Sequence, residues 1–161
     1  MGIESLIALV GYGLCMLSYA VNVPRAFRSR PWTLFYGSMA LVAGYFILAT
    51  YKMRLLTTGE DDKQLPSVGY GILAAFFALP FVVPLNFKVR FYDPLAVVGY
   101  TLLFAATLRP DIVPAELGWI CIALYYTLGA AVKLGQPGEM CLLIGRYALA
   151  VYSGFNLCEK I

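Results

Sequence analysis

Arg146 stands as the one full charge clearly inside a long apolar run, the stretch over 140–157. A charge in such a setting is costly in hydrocarbon, and so marks a pairing or binding position. Its guanidinium could meet an acid on another helix or hold a lipid phosphate. A purely structural reading competes with this: Arg146 lies about two turns from the start of its run, within snorkelling reach of an interface, with Glu139 earlier on the same face. A second basic group, Arg25, Arg28 and Arg30, falls between Pro24 and Pro31 and the adjoining apolar runs. A basic turn there could hold anionic headgroups such as cardiolipin, or an acidic partner loop. It could equally serve only to orient the chain in a bilayer. Arg25, Arg28, Arg30 and Arg146 are therefore the candidate lipid- or partner-binding residues.

Other chemistry is thinly represented. The chain has no histidine, which removes imidazole ligation of haem or metal and histidine acid–base catalysis. Cys15, Cys121, Cys141 and Cys158 form no C-x-x-C pair and read as small apolar packing residues. Glu60, Asp61 and Asp62 sit beside Lys52, Arg54 and Lys63, a grouping better read as a solvated loop than as a metal site. None of the nine acids is clearly placed mid-run, where proton or ion translocation would want one. No P-loop, dinucleotide fingerprint or nucleophile–base arrangement is visible. The expectation is a non-catalytic chain with no cofactor and no metal, and no run of Lys/Arg dense enough for nucleic acid.

The elements that must position these residues follow from solvent preference. Of 161 residues, 61% are hydrophobic and 13% charged, and the mean hydropathy is +0.76. Soluble domains carry about 25% charged residues. So few charges cannot cover so much apolar surface in water. The apolar segments are continuous rather than alternating, which argues against a β-barrel. The expected fold is all-α: a single polytopic membrane helical bundle over 1–161, with spans near 6–23, 32–50, 67–85, 91–108, 113–132 and 140–157. The fourth segment is the weakest: from Leu95 to Leu108 it is too short to span and must include Phe91 and Tyr92, or tilt and stop short, so five spans are an alternative to six. Pro80 and Pro84 predict a kink in the third. Trp32, Tyr51, Tyr92 and Trp119, near segment ends, suit a headgroup layer. Gly37, Ala40, Ala43 and Gly44 in the second segment, and Gly129, Ala130 and Ala131 in the fifth, permit close helix packing.

The sequence also repeats itself. Val10-Gly11-Tyr12-Gly13-Leu14 recurs as Val68-Gly69-Tyr70-Gly71-Ile72, and in part as Val98-Gly99-Tyr100. The first and last copies are spaced as a three-helix duplication of inverted topology would space them. The middle copy does not fit a three-helix unit.

Gly11-Tyr12 in a first apolar segment is followed by Arg28-Ser29-Arg30-Pro31-Trp32, and a second segment carries Gly37 and Gly44-Tyr45 and ends at Lys52 and Arg54. This stretch, residues 11–55, resembles the two-helix hairpin accessory subunit of mitochondrial complex I, the NADH:ubiquinone oxidoreductase. The four further spans have no counterpart in that hairpin. The resemblance implies a non-catalytic accessory subunit of a respiratory membrane complex in the mitochondrial inner membrane. Its partners would be other membrane subunits and phospholipid, cardiolipin included. Two alternatives stand beside it: a small transporter or channel of inverted three-helix repeats with Arg146 facing a midplane cavity, and a lipid-modifying membrane enzyme.

Overall fold

The computed structural model describes residues 2–28, 33–82, 89–133 and 140–160. Six helices follow one another: α1 (Gly2–Arg28), α2 (Thr33–Thr57), α3 (Gln64–Val82), α4 (Asp93–Leu108), α5 (Ala115–Lys133) and α6 (Met140–Lys160). There is no strand among the described residues. Five of the helices are long and apolar enough to cross a membrane; α4, with 16 residues, is shorter. At about 1.5 Å per residue α4 measures about 24 Å, less than the ~30 Å of a hydrocarbon core. The chain is a helical bundle with the character of an integral membrane protein.

Local chemistry sets the boundaries. α2 ends where Gly59 takes a positive φ of 71°, with Thr58 N donating to the Arg54 carbonyl at 2.8 Å. Asp62 Oδ1 accepts from Gln64 N at 3.0 Å as α3 begins. α4 opens with Asp93 and Pro94, an acid and an imide that suit a helix N-terminus. Pro110 follows its last turn.

The structure corrects two boundaries: α2 runs on to Thr57, past the expected end at Thr50, and α1 extends beyond its proline. Pro24 does not end the first helix, and Arg25 and Arg28 do not lie in a turn: α1 runs through Pro24 to Arg28. A proline this close to the end costs only the hydrogen bond to the carbonyl four residues earlier, and arginines are good helix formers. α1 therefore reaches about 40 Å, longer than the ~30 Å of a hydrocarbon core. Pro80 lies inside α3; Pro84 falls outside the described residues.

Each helix packs on its neighbours in sequence, and α6 closes back on α1, so the six form a ring. Three of the contacts share one device. A Cβ added to Gly44 would lie 2.8 Å from Leu73, and one added to Gly69 would lie 2.8 Å from Leu48. Gly99 faces Ile122 at 2.7 Å and Gly118 faces Leu103 at 3.0 Å; Gly11 faces Leu149 at 2.7 Å and Gly145 faces Cys15 at 3.0 Å. In every case the partner sits one turn after the opposing glycine. Each glycine is thus the socket for a side chain of the other helix, and the pairs α2–α3, α4–α5 and α6–α1 are locked antiparallel. Van der Waals fit of this kind is what holds helices together where lipid removes the hydrophobic drive between them. The Gly-Tyr repeat in the sequence therefore marks a packing unit of one helix pair, used three times around the ring.

The ring turns large apolar side chains outward and gathers tyrosines inside. Leu17, Phe46, Leu79, Leu124 and Val151 are among the exposed large side chains, whereas Tyr12, Tyr45, Tyr70, Tyr100, Tyr125, Tyr126 and Tyr152 are buried. That distribution reverses the soluble pattern and fits a lipid-facing exterior. Tyr92 and Trp119, near segment ends, are buried against other helices. The reason is rotational: in a ring, a helix turns its aromatic residues with polar tips toward the axis, where hydroxyl and ring partners exist.

Candidate functional site

The residue after each packing glycine is drawn toward the axis by the same geometry. These residues are Tyr12, Tyr45, Tyr70, Tyr100, Trp119 and Arg146, and all six are buried. Tyr45 of α2 and Tyr126 of α5 come from opposite sides of the ring, and their hydroxyls hydrogen-bond at 2.9 Å. The Tyr126 hydroxyl also bonds that of Tyr100. Around this layer Tyr70 meets Trp119 edge-on at 6.2 Å, and Trp119 meets Tyr152 edge-on at 5.4 Å. Tyrosine hydroxyls from three helices thus meet inside a core that also holds aliphatic side chains such as Leu41, Leu73, Leu103 and Ile122.

Tyr126→Phe leaves both Tyr45 and Tyr100 without this hydroxyl partner, and unpaired buried hydroxyls cost about 1–3 kcal/mol. Thermal unfolding in detergent is expected to show Tyr126→Phe less stable than either Tyr45→Phe or Tyr100→Phe. Equal loss in all three would mean that Tyr126 is not the shared centre.

Two clefts, each of about 310 Å³, lie on either side of this layer. That is the lower end of the size that takes a small molecule. One cleft is lined by Tyr19, Asn22, Ser38, Phe77, Arg90, Asp93 and Tyr125, among others, and lies toward the end where α1 finishes and α2 starts. The other is lined by Tyr51, Lys52, Asp61, Tyr70, Thr107, Trp119, Tyr152 and Asn156, among others, toward the end where α2 finishes and α3 starts.

Among the described residues, the only buried charged side chains are Arg146 and Lys52, 2% and 8% exposed. Arg146 Nη1 donates to the Gly129 carbonyl at 3.3 Å, a long bond, and Nη2 is buried with no hydrogen-bond partner. Tyr19, Tyr125 and Tyr92 surround it, with the Tyr19 hydroxyl in hydrogen-bonding reach of the guanidinium. Gly129 makes the space: a Cβ there would lie 3.1 Å from Nη1. Arg146 follows Gly145, which packs on Leu14 and Cys15, halfway along the 27 residues of α1. The guanidinium faces inward, toward the end of the bundle where α5 finishes and α4 starts. Lys52 Nζ lies 4.7 Å from the centre of the Tyr152 ring and 5.2 Å from that of Tyr51, held by cation–π attraction.

The acids are occupied elsewhere. Asp93 Oδ2 accepts from the backbone N of Arg90 at 2.7 Å. Glu60 and Asp62 lie 3.7 and 3.6 Å from the Arg54 guanidinium, and Asp61 accepts from the Tyr51 hydroxyl at 2.8 Å. The four cysteines are free; Cys15 is buried, and Cys141 Sγ donates to the Leu14 carbonyl at 3.3 Å.

The four arginines singled out in the sequence do not form one site. Arg28 is exposed at the end of α1, Arg146 is enclosed, and Arg30 falls outside the described residues. Arg25 belongs to α1, but its side chain falls outside the description. Sequence reasoning missed Lys52, because the apolar run was ended at Thr50 and Lys52 was assigned to a connection. The continuation Met53, Leu55, Leu56 was the signal that the helix carries on past it. The tyrosines were visible only as Gly-Tyr repeats. No known protein family, curated protein or solved structure matches the chain.

Proposed function

We propose that the chain is a small membrane transporter, in which the six-helix ring passes a small polar solute between two clefts on opposite sides of a tyrosine gate. The observation that carries this reading is the pair of clefts separated by the Tyr45–Tyr126–Tyr100 hydroxyl layer. Polar residues inside a membrane bundle are retained where they line a path, since an apolar core would be as well packed without them. Hydroxyl partners that can exchange among one another suit a gate that opens by side-chain rotation.

The test is solute flux in proteoliposomes with acetate, phosphate, glycerol and ammonium, covering anionic, neutral and cationic solutes. Ser38 and Thr107 line opposite clefts. In a background without the native cysteines, an impermeant thiol reagent should label Ser38→Cys and Thr107→Cys from opposite sides of the membrane. At least one solute should cross faster than in empty liposomes, and labelling Ser38→Cys should stop it. Labelling of both positions from one side, or no flux of any of the four solutes, overturns the proposal.

A second reading keeps the role suggested by residues 11–55, a non-catalytic accessory subunit of a respiratory membrane complex. The observation in its favour is an apolar groove on the outside of the ring, lined by Ala78, Phe81, Val82, Pro94, Val97 and Val98, of a kind that a neighbouring helix or an acyl chain could fill. Extraction in mild detergent followed by native electrophoresis separates the two. Migration alone or as a small oligomer removes the subunit reading; co-migration with a large assembly supports it.

A further inference from the structure

We infer that Arg146 is the anchor of an internal binding site for a small carboxylate or phosphate-type anion, reached from the cleft that Tyr19 and Tyr125 line. The inference rests on the transporter reading and names the class of solute.

A guanidinium cannot shed its proton at any ordinary pH, so burying it leaves a full positive charge in a medium of low dielectric. Such a charge is tolerated when an anion stands against it. Arg146 is 2% exposed, yet its protein partners are neutral, the Gly129 carbonyl 3.3 Å from Nη1 and the Tyr19 hydroxyl, and Nη2 has none. The acid that lines the adjoining cleft, Asp93, is engaged by the Arg90 backbone N–H. The second buried charge, Lys52, is also a cation and lines the other cleft. The interior carries two positive charges, one on each side of the gate, and no buried carboxylate among the described residues. A path built for a cation would have the opposite sign.

The donor set narrows the class. A guanidinium offers parallel N–H groups in a fixed fork that matches two oxygens of a carboxylate or phosphate, and an unused Nη2 leaves part of that fork free. Tyr19 and Tyr125 belong both to the cleft wall and to the surroundings of the guanidinium. Rotation of either would join the cleft to Nη2 and bring a hydroxyl donor to the same anion. Gly129 keeps the fork from being crowded out, since any side chain there meets Nη1.

The experiment measures the thermal unfolding midpoint of the purified full chain in neutral phosphatidylcholine nanodiscs. The probes are sodium acetate, benzoate and phosphate, against acetamide and benzamide at matched ionic strength. At least one anion should raise the midpoint saturably, and the amides should not. Arg146→Lys should weaken the response roughly tenfold through loss of the fork, and Arg146→Gln should abolish it. Tyr19→Phe, which keeps the ring, gives a second variant if Arg146→Gln does not fold; its apparent affinity should fall several-fold. Repeating the titration with phosphatidylglycerol in the disc identifies the source of the anion. Suppression of the response assigns the site to a lipid headgroup, and persistence assigns it to a free anion; both require Arg146. No saturable response to any anion in the folded wild type, or an unchanged response in Arg146→Gln, overturns the inference. Binding without flux would leave this inference standing and remove the transporter; flux without binding would do the reverse.

Discussion

Replacing Arg146 with methionine is expected to make the protein more stable while removing its response to anions. In the anion-free protein the buried guanidinium meets only neutral groups, the Gly129 carbonyl through a long hydrogen bond and the Tyr19 hydroxyl, and leaves Nη2 unpartnered. Exchanging a poorly compensated buried ion for an apolar side chain of similar reach gains about 1–4 kcal/mol in comparable cases. The flexible thioether can fill the space that Gly129 leaves beside it. The helical carbonyl of Gly129 loses only an auxiliary donor. Thermal or denaturant unfolding in detergent, in buffer with chloride as the only anion, should show a higher midpoint for Arg146→Met than for wild type. Arg146→Lys, which keeps the charge, should show no such gain. A residue selected for stability behaves in the opposite way, so a strong loss in Arg146→Met would make the guanidinium a structural tie and remove the reason to place an anion against it. Stability surrendered for a buried charge is the pattern expected where a site has been kept for binding.

The second large effect concerns the glycine sockets. Gly44→Leu, Gly69→Leu and Gly99→Leu each force a side chain into space already taken, by Leu73, Leu48 and Ile122 respectively. Overpacking of this kind costs about 1–3 kcal/mol per site, and in a bundle whose helix contacts rest on close fit it is expected to open the pair. Gly13 and Gly154 supply the control, because a Cβ at either meets nothing within 4 Å. Alanine there should be neutral or gain up to about 1 kcal/mol from helix propensity. Reciprocity makes the test sharper. Gly44→Ala alone should destabilise through Leu73, and the double variant with Leu73→Ala should lose less than the two single variants together, by a coupling of about 1 kcal/mol. Additive losses would show that Gly44 and Leu73 do not act as socket and knob.

Much of this architecture was legible in the residues. Continuous apolar runs can satisfy their backbone in lipid only as helices, so a helical membrane bundle follows from composition and length. The weak fourth segment was visible too, because Leu95 to Leu108 is too short to span and α4 gains only the turn around Asp93 at its start. Arg146 could be recognised as exceptional, since a charge inside an apolar run has no inexpensive explanation. Gly-Tyr could be seen to repeat.

The direction each side chain faces could not be read in the same way. Hydropathy reports how apolar a segment is, averaged around its circumference, and these helices are apolar nearly all round, so no stripe in the sequence marks an inner face. Tyr92 and Trp119 look identical to interfacial anchors until the ring turns them inward. Lys52 looks like a loop charge until α2 is seen to run to Thr57 and hold it between Tyr51 and Tyr152. Arg146 has the same distance from its helix start whether it snorkels outward or points to the axis; its 2% exposure and its bond to the Gly129 carbonyl show that it points inward. Local sequence fixes which segments are helical because backbone and solvent act residue by residue. Which charges share a cavity depends on how six helices rotate against one another, and that is set by glycine sockets whose partners lie on other helices.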